Sequence, residues 1–298
     1  MQTRINTIFS DYDGTLSPTK TLRSSIESIP KPLEAVLREI AQRIPICIVS
    51  TKDYNFIHRR AEFAWILSCI MGIETIVLRT PNESEKRSNN GDNLGCTKER
   101  YLLPNIEKIL ETNSITLSKL AENIESEFKD NVMVERKHTS DTKYVAGITI
   151  DYRHLKNWNL YKNKIEPSFN EIIQKYSLSS SIPKSNLHIQ TYRSHPFLDV
   201  YAIYCDKGMA FDIVTAKIFN TNNHGQMGRG RKDILYLGDS ENDNPAFRKA
   251  SISIGIISDK RLSPNLDCQY LIEFKHLPGF LKHLAENRFI FSEDLLDL

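Results

Sequence analysis

The chain has 298 residues, 40% hydrophobic and 26% charged, with 12 glycines and 12 prolines: enough for one large or two ordinary domains with a proper core. Lys and Arg exceed Asp and Glu by 39 to 37, and the densest basic cluster, GRGRK at 228–232, is short, so neither bulk charge nor clustering points to a nucleic-acid partner. No run approaches the roughly 18 apolar residues of a membrane span, and acidic residues interrupt MQTRINTIFSDYDG before a signal-peptide core can form, so a soluble cytoplasmic protein without a membrane partner is the expectation.

Ile5–Phe9 reads as a buried strand ending in SDYDGTLSPT, with two carboxylates two residues apart. Pro30–Arg43 is predicted helical, because Pro sits near its start and Leu33, Val36, Leu37 and Ile40 share a face. Pro45 stops it. Ile46–Val49 follows as a short apolar strand closed by Ser50-Thr51. A helix from Asp53, its N-cap, through Trp65 and a strand at Ile73–Leu78 complete an alternation that implies parallel βαβ units.

After Arg79 the stretch TPNESEKRSNNGDNLG is polar and reads as a loop or linker. Two helices are predicted next, at about 99–111 and 115–129. Asn131–Arg136 and Tyr144–Tyr152 alternate as strands around the hairpin composition HTSDTK, a helix covers about 156–176 with a kink at Pro167, and Leu187–Tyr192 and Phe197–Tyr204 are further strands. This middle region reads α+β with antiparallel pairing. The α/β rhythm returns with a helix from Lys207-Gly208, a strand at Asp233–Leu237 ending in GDSEND, a short helix at Asn244–Lys249, a strand at Ser251–Ile256 and a closing helix at Leu277–Asn287. One α/β domain is therefore interrupted by an insertion.

Ligands of parallel sheets bind beyond the carboxyl ends of the strands. There the sequence puts Asp11 and Asp13, Ser50 and Thr51, and Asp239 and Asp243, with Lys207 at a helix start. Carboxylates so gathered need a cation to stay ionised. Hard oxygen ligands suit Mg²⁺, which binds through one or two carboxylates plus a phosphate. A lysine and a hydroxyl would cradle a phosphoryl group. One aspartate can attack phosphorus and another can protonate the leaving alcohol. Each motif alone has a plainer reading as a turn, a strand-end cap or a helix start. It is their order along the chain that favours a site.

DYDGTL, Ser50, Lys207-Gly208 and GDSEND resemble, in order, the four motifs of the haloacid dehalogenase-like hydrolases. The resemblance implies a Rossmann-like parallel-sheet core over 1–80 and 205–298 and an inserted α+β cap over 81–204. It makes Asp11 the nucleophile and Asp13 the general acid/base. Ser50 and Lys207 become the phosphoryl holders. A Mg²⁺ ion would be held by Asp11, the main-chain carbonyl of Asp13 and Asp239, with Asp243 supporting it. The second aspartate argues against a dehalogenase and against an ion-pumping ATPase. Within the cap, VERK at 134–137, ITIDYR at 148–153 and DVYAIYCDKGMA at 199–210 look like the trehalose-6-phosphate phosphatases. That likeness makes Glu135, Lys137 and Arg153 sugar-contact candidates, and their plainer reading is a cross-strand charge network. The family's Ser-Gly-Arg is Ser50-Thr51-Lys52 here. Thr51 and Lys52 therefore join the substrate-binding candidates, and which hydroxyl meets phosphate stays open. The link TNNHGQMGRGRKD at 221–233 also looks longer than the family's.

The function implied is a Mg²⁺-dependent phosphatase acting on a phosphosugar, trehalose 6-phosphate first. The alternatives are sucrose-phosphate or mannosyl-3-phosphoglycerate phosphatase, a phosphomutase or phosphotransferase on the same core, and a sugar-phosphate-sensing module without turnover. Partnership with a sugar-phosphate synthase is left open. The five cysteines are widely spaced with no CxxC pair and read as free thiols, Cys47 as a buried small hydrophobe.

Overall fold

In the computed structural model the described residues are 2–18, 28–79, 99–155, 158–179, 187–193, 195–219, 233–258 and 265–296. The polar stretch after Arg79 from residue 80 onward, Cys96, and the 221–232 part of the long link fall outside them. The chain divides into two compact units. The first comprises Met1–Thr51, Phe56–Tyr101 and Asp206–Leu298, and the second Lys52–Asn55 and Leu102–Cys205.

The chain begins with β1 (Thr3–Arg4), β2 (Thr7–Ser10), α1 (Lys31–Ile40), β3 (Ile46–Val49), α2 (Tyr54–Ile57, its first two residues in the second unit), β4 (Ile66–Cys69), β5 (Glu74–Val77) and β6 (Glu99–Leu102, its last residue in the second unit). In the second unit follow α3 (Glu107–Phe128), β7 (Met133–His138), β8 (Val145–Asp151), α4 (Trp158–Ser179, with Pro167 inside), β9 (His188–Thr191) and β10 (Phe197–Tyr201). The first unit resumes with α5 (Lys207–Phe219), β11 (Ile234–Gly238), α6 (Asn244–Phe247), β12 (Ile252–Ile257), β13 (Tyr270–Glu273), α7 (Leu277–Glu286) and β14 (Ile290–Phe291).

Eight strands form one sheet in the order β13-β12-β11-β2-β3-β4-β5-β6. From β13 to β4 the pairing is parallel. β2, β3, β4 and β11 are buried along their whole length, as strands covered on both faces must be. The chain moves outward from β2 through β3 and β4, then returns to the other side of β2 as β11. That reversal is a topological switch point at the carboxyl ends of β2 and β11, the usual ligand position in such sheets. α1 buries Leu33, Leu37 and Ile40 and packs on α7. Trp65 is core, its Nε1 donating to the Ala41 carbonyl at 2.8 Å.

Two expectations in this unit are corrected. The helix predicted from Asp53 through Trp65 is the single turn of α2, and the run WILSC holds β4 instead. A short apolar run suits a buried strand as well as a helix end, so periodicity cannot separate them. The strand predicted at Ile73–Leu78 exists as β5, but it pairs antiparallel with β4, so no parallel crossover joins the two. They are joined by Ile70, Met71 and Gly72, with φ of 51°, 58° and 90°.

In the second unit a four-stranded antiparallel sheet runs β7-β8-β10-β9. Ile148, Ile150, Leu198 and Val200 form its apolar face and are fully buried. Arg136 lies on that face and pairs with Glu125 of α3. The two helices predicted at 99–111 and 115–129 are β6 and the single helix α3. Asn113 and Ser114 read as a break between helices, yet each has a tertiary partner. Asn113 Nδ2 donates to the Ala202 carbonyl at 2.6 Å, and Ser114 Oγ accepts the Val145 N–H at 2.8 Å. Long-range hydrogen bonds thus supply what the local sequence withholds.

Candidate active site

β2 delivers Ser10 into the core, and the chain then turns. Gly14 N–H donates to the Ser17 carbonyl at 2.7 Å, and the N–H groups of Leu16 and Ser17 return to the Tyr12 carbonyl at 2.9 and 3.0 Å. Tyr12 is fully buried, Asp11 only 5% exposed, and Asp13 half-buried. Gly14 adopts φ 83°, and a Cβ there would lie 1.9 Å from Asp239 Oδ2. The glycine therefore makes room for the carboxylate that follows β11. Gly238 does the same for Asp243, whose Cγ would sit 2.4 Å from a Cβ at that position.

Lys207, the first residue of α5, is fully buried. Its Nζ lies 2.9 Å from Asp11 Oδ1 and donates to Asp243 Oδ1 at 2.7 Å. Asp243 is saturated with donors. Oδ1 also accepts the Tyr236 hydroxyl at 2.7 Å, while Oδ2 accepts the N–H groups of Asp239 and Ser240 at 3.2 and 3.1 Å and the Ser240 hydroxyl at 3.2 Å. So held, Asp243 anchors Lys207 and the Asp239 loop together. Thr15 Oγ1 donates to Asp239 Oδ1 at 3.2 Å.

Ligand atoms of Asp11, Asp239 and Asp243 lie within 4.8 Å of one another. Burial pushes the Asp11 carboxyl up to about 7 against the pull of Lys207, with Asp243 and then Asp13 adding to the rise. Asp239 is raised well above the carboxylate range by desolvation and by the charges of Asp11 and Asp243. Lys207 is held above its ordinary value, because the attraction of Asp11 and Asp243 outweighs its desolvation. All three carboxylates ionised against one ammonium would leave a surplus of two negative charges, which is what their raised values oppose. Hard oxygen donors with that surplus fit a small divalent cation, which would favour the ionised form of Asp11 that a nucleophile needs.

Ser50 follows β3, buried, at the same end of the sheet. Thr51 is half-buried beside it in sequence.

Structural comparison bears on the fold. The chain superposes on a trehalose-6-phosphate phosphatase-related protein with a TM-score of 0.61 at 16% identity, over 95% of this chain and 98% of the other. It superposes on the C-terminal domain of a C. albicans trehalose-6-phosphate phosphatase at 0.64 and 15% identity, over 95% and 93%. A haloacid dehalogenase-like hydrolase from Bacteroides thetaiotaomicron gives 0.56 and 16%, over 95% and 100%. The fold is that of the haloacid dehalogenase-like phosphatases: an α/β core with an α+β insertion. No family model and no curated protein matches the chain.

The sugar-contact candidates lie in the second unit. Cross-strand register sets Glu135 opposite Thr149 and Thr149 opposite Asp199, with Lys137–Gly147–Tyr201 as the next row on the same, polar face. Lys52 Nζ donates to Glu135 Oε2 at 2.9 Å, both side chains 13% exposed. Lys137 is placed differently from a surface sugar reader. It is 1% exposed, and its ammonium donates to Asp199 Oδ1 at 3.0 Å and to the Tyr201 hydroxyl at 3.3 Å. Asp199 also accepts from the hydroxyls of Thr149, Tyr192 and Tyr201. Burial raises the Asp199 carboxyl, but Lys137 and the hydroxyls of Thr149 and Tyr192 overcome it and hold the group below its ordinary value. Arg153 Nε donates to Asp151 Oδ2 at 2.7 Å, and its guanidinium lies 4.7 Å over the Phe197 ring. The sequence reading missed Tyr236, Thr15 and the tyrosines around Asp199, since a tyrosine inside an apolar strand carries no signal of what its hydroxyl meets. The expected N-cap Asp53 accepts the His138 N–H at 3.2 Å through Oδ2.

Proposed function

We propose that the chain is a Mg²⁺-dependent phosphomonoesterase acting on a phosphosugar, with trehalose 6-phosphate as the first substrate to test. The observation that carries this reading is the buried Lys207 shared by Asp11 and Asp243, with Asp239 beside them, at the point where the parallel sheet reverses its strand order. Asp11 Oδ1 or Oδ2 attacks phosphorus in line with the departing sugar oxygen, which takes a proton from Asp13. Asp13, now a carboxylate, removes a proton from water, and the water oxygen attacks phosphorus, breaking its bond to the Asp11 oxygen so that phosphate is released and the Asp11 carboxylate is restored. Lys207 and the Ser50 hydroxyl hold the transferring group, and Thr51 lies next to it in sequence. Asp11, the main-chain carbonyl of Asp13 and Asp239 would hold the Mg²⁺, with Asp243 supporting them; when bound it offsets charge on the carboxylates and phosphoryl oxygens.

Glu135, Lys52 and Arg153, all in the second unit, are the proposed sugar-contact residues. Lys137, the remaining sugar-contact candidate, is tied to Asp199 instead. Trehalose specificity rests on the resemblance of VERK and its neighbours together with the trehalose-6-phosphate phosphatases among the structural neighbours. Purified protein with MgCl₂ should release phosphate from trehalose 6-phosphate faster than from sucrose 6-phosphate, mannosyl-3-phosphoglycerate or hexose phosphates, and EDTA should stop it. Isomerised phosphosugar without free phosphate would favour a mutase, and binding without turnover a sensing module.

A further inference from the structure

Between β4 and β5 the chain makes a turn that its own residues resist. Ile70, Met71 and Gly72 all have left-handed φ, and all are buried. Only the glycine is suited to that region; a β-branched isoleucine there is an outlier. Such strain persists when surrounding packing over-determines it, and it gathers at functional sites.

Two contacts show what the turn does. Ser50 has left the β3 ladder, which ends with Val49 opposite Ser68. Its N–H donates to the Ser68 carbonyl and its carbonyl accepts the Met71 N–H, each at 2.9 Å. The Ser50 N–H is thus held by β4 and its carbonyl by the turn itself. On the turn's other side, a Cβ at Gly72 would lie 2.9 Å from Cα and Cβ of Ala210. Ala210 is in the first turn of α5, three residues after Lys207, and its N–H donates to the Asp206 carbonyl at 3.1 Å. The bare Cα of Gly72 therefore sets how closely the start of α5 approaches.

We infer that Ile70–Gly72 is a positioning element: one strained turn fixes the main chain of Ser50 and the seat of the helix that carries Lys207. This rests on the phosphatase reading of Ser50 and Lys207 above. A turn that served only to join β4 to β5 would be better made of Asn and Gly. The Met71 N–H and the bare Cα of Gly72 make the two contacts.

The test uses the full chain, Mg²⁺ and para-nitrophenyl phosphate, which engages the phosphoryl site alone. Gly72→Ala places a methyl against the main chain of α5 and should lower kcat about 100-fold, the scale of a roughly 1 Å misplacement, with KM changed less than about threefold. Met71→Gly keeps a left-handed N–H donor and removes only a buried side chain. It should lower Tm yet leave kcat within about threefold of the parent. Met71→Val, β-branched at φ 58°, should lower kcat more than Met71→Gly does, and it serves if Gly72→Ala fails to fold. In a Ser50→Ala background, Gly72→Ala should cost less than about tenfold, because part of what it misplaces is already gone. Activity that simply follows Tm across these variants, or a folded Gly72→Ala with the parent kcat, overturns the inference and leaves the phosphatase reading standing. A parent protein that releases no phosphate from any ester overturns both.

Discussion

The two units each bury a lysine beside aspartate, and the two centres differ in what they leave over. In the second unit Lys137 faces one carboxylate, Asp199, whose oxygens also accept from three hydroxyls. Among the described residues, charge and hydrogen-bonding capacity balance at this pair. In the first, Lys207 faces two carboxylates with a third alongside. Asp243 is saturated, so the surplus negative charge would fall on Asp11 and Asp239, at the carboxyl ends of β2 and β11. A buried ion pair alone is thus weak evidence of function; an unbalanced one at a strand-end switch point is stronger.

The comparison can be broken from either side. The largest effect is expected for Asp11→Asn, which should cost on the order of 10⁴-fold or more in phosphate release. Its circular dichroism and Tm should match the parent's, because the change removes one of three crowded charges. Near-normal turnover would take the nucleophile role from Asp11. Next in size is Lys137→Met, which leaves Asp199 charged and buried and should destabilise the second unit by about 3–5 kcal/mol in urea unfolding. Turnover of para-nitrophenyl phosphate at 20 °C by the folded fraction should hold. If it falls as far as in Lys207→Met, the two centres are not functionally distinct.

Glu135→Ala sharpens the contrast. It should raise KM for the disaccharide phosphate about tenfold, the worth of one charge-assisted hydrogen bond, and spare the small aryl ester. Equal losses on both substrates would count against sugar reading by the polar face. The smallest effect concerns pH. Asp199 has a depressed carboxyl, so its contribution is fully present above the ordinary value of 3.8 and is lost as pH falls through its lower folded value. Parent and Asp199→Asn unfolding curves should therefore converge below about pH 4 and separate above it. A constant gap from pH 2 to 7 would show that the pair does not titrate with folding.

Much of the site was legible because its chemistry is carried by local words. DYDGT, Lys207-Gly208 and GDSEND each sit where a strand stops or a helix starts, and the structure brings Asp11, Lys207, Asp239 and Asp243 together. The second unit was legible in its strands and less so in its roles. VERK alternates correctly, with Glu135 and Lys137 on one face and Arg136 on the other. Alternation alone says nothing of Asp199 opposite Thr149, which consumes the lysine. The helix break expected near Asn113 failed for the same kind of reason, since partners 89 and 31 residues away satisfy Asn113 and Ser114.

The amino-acid sequence by itself determined the α/β rhythm, the insertion and the order of acidic and basic residues that make a phosphoryl site conceivable. These follow from hydrophobic periodicity and from turn chemistry, both of which act within a few residues. Tertiary structure decided the rest. It ran β5 antiparallel, made one helix of two, closed Lys137 onto Asp199 and wound Ile70–Gly72 into a left-handed turn between Ser50 and α5. Each of those outcomes depends on burial and on hydrogen-bond partners distant in the chain, and local propensity yields to them because an unsatisfied buried polar group costs more than a poor backbone angle.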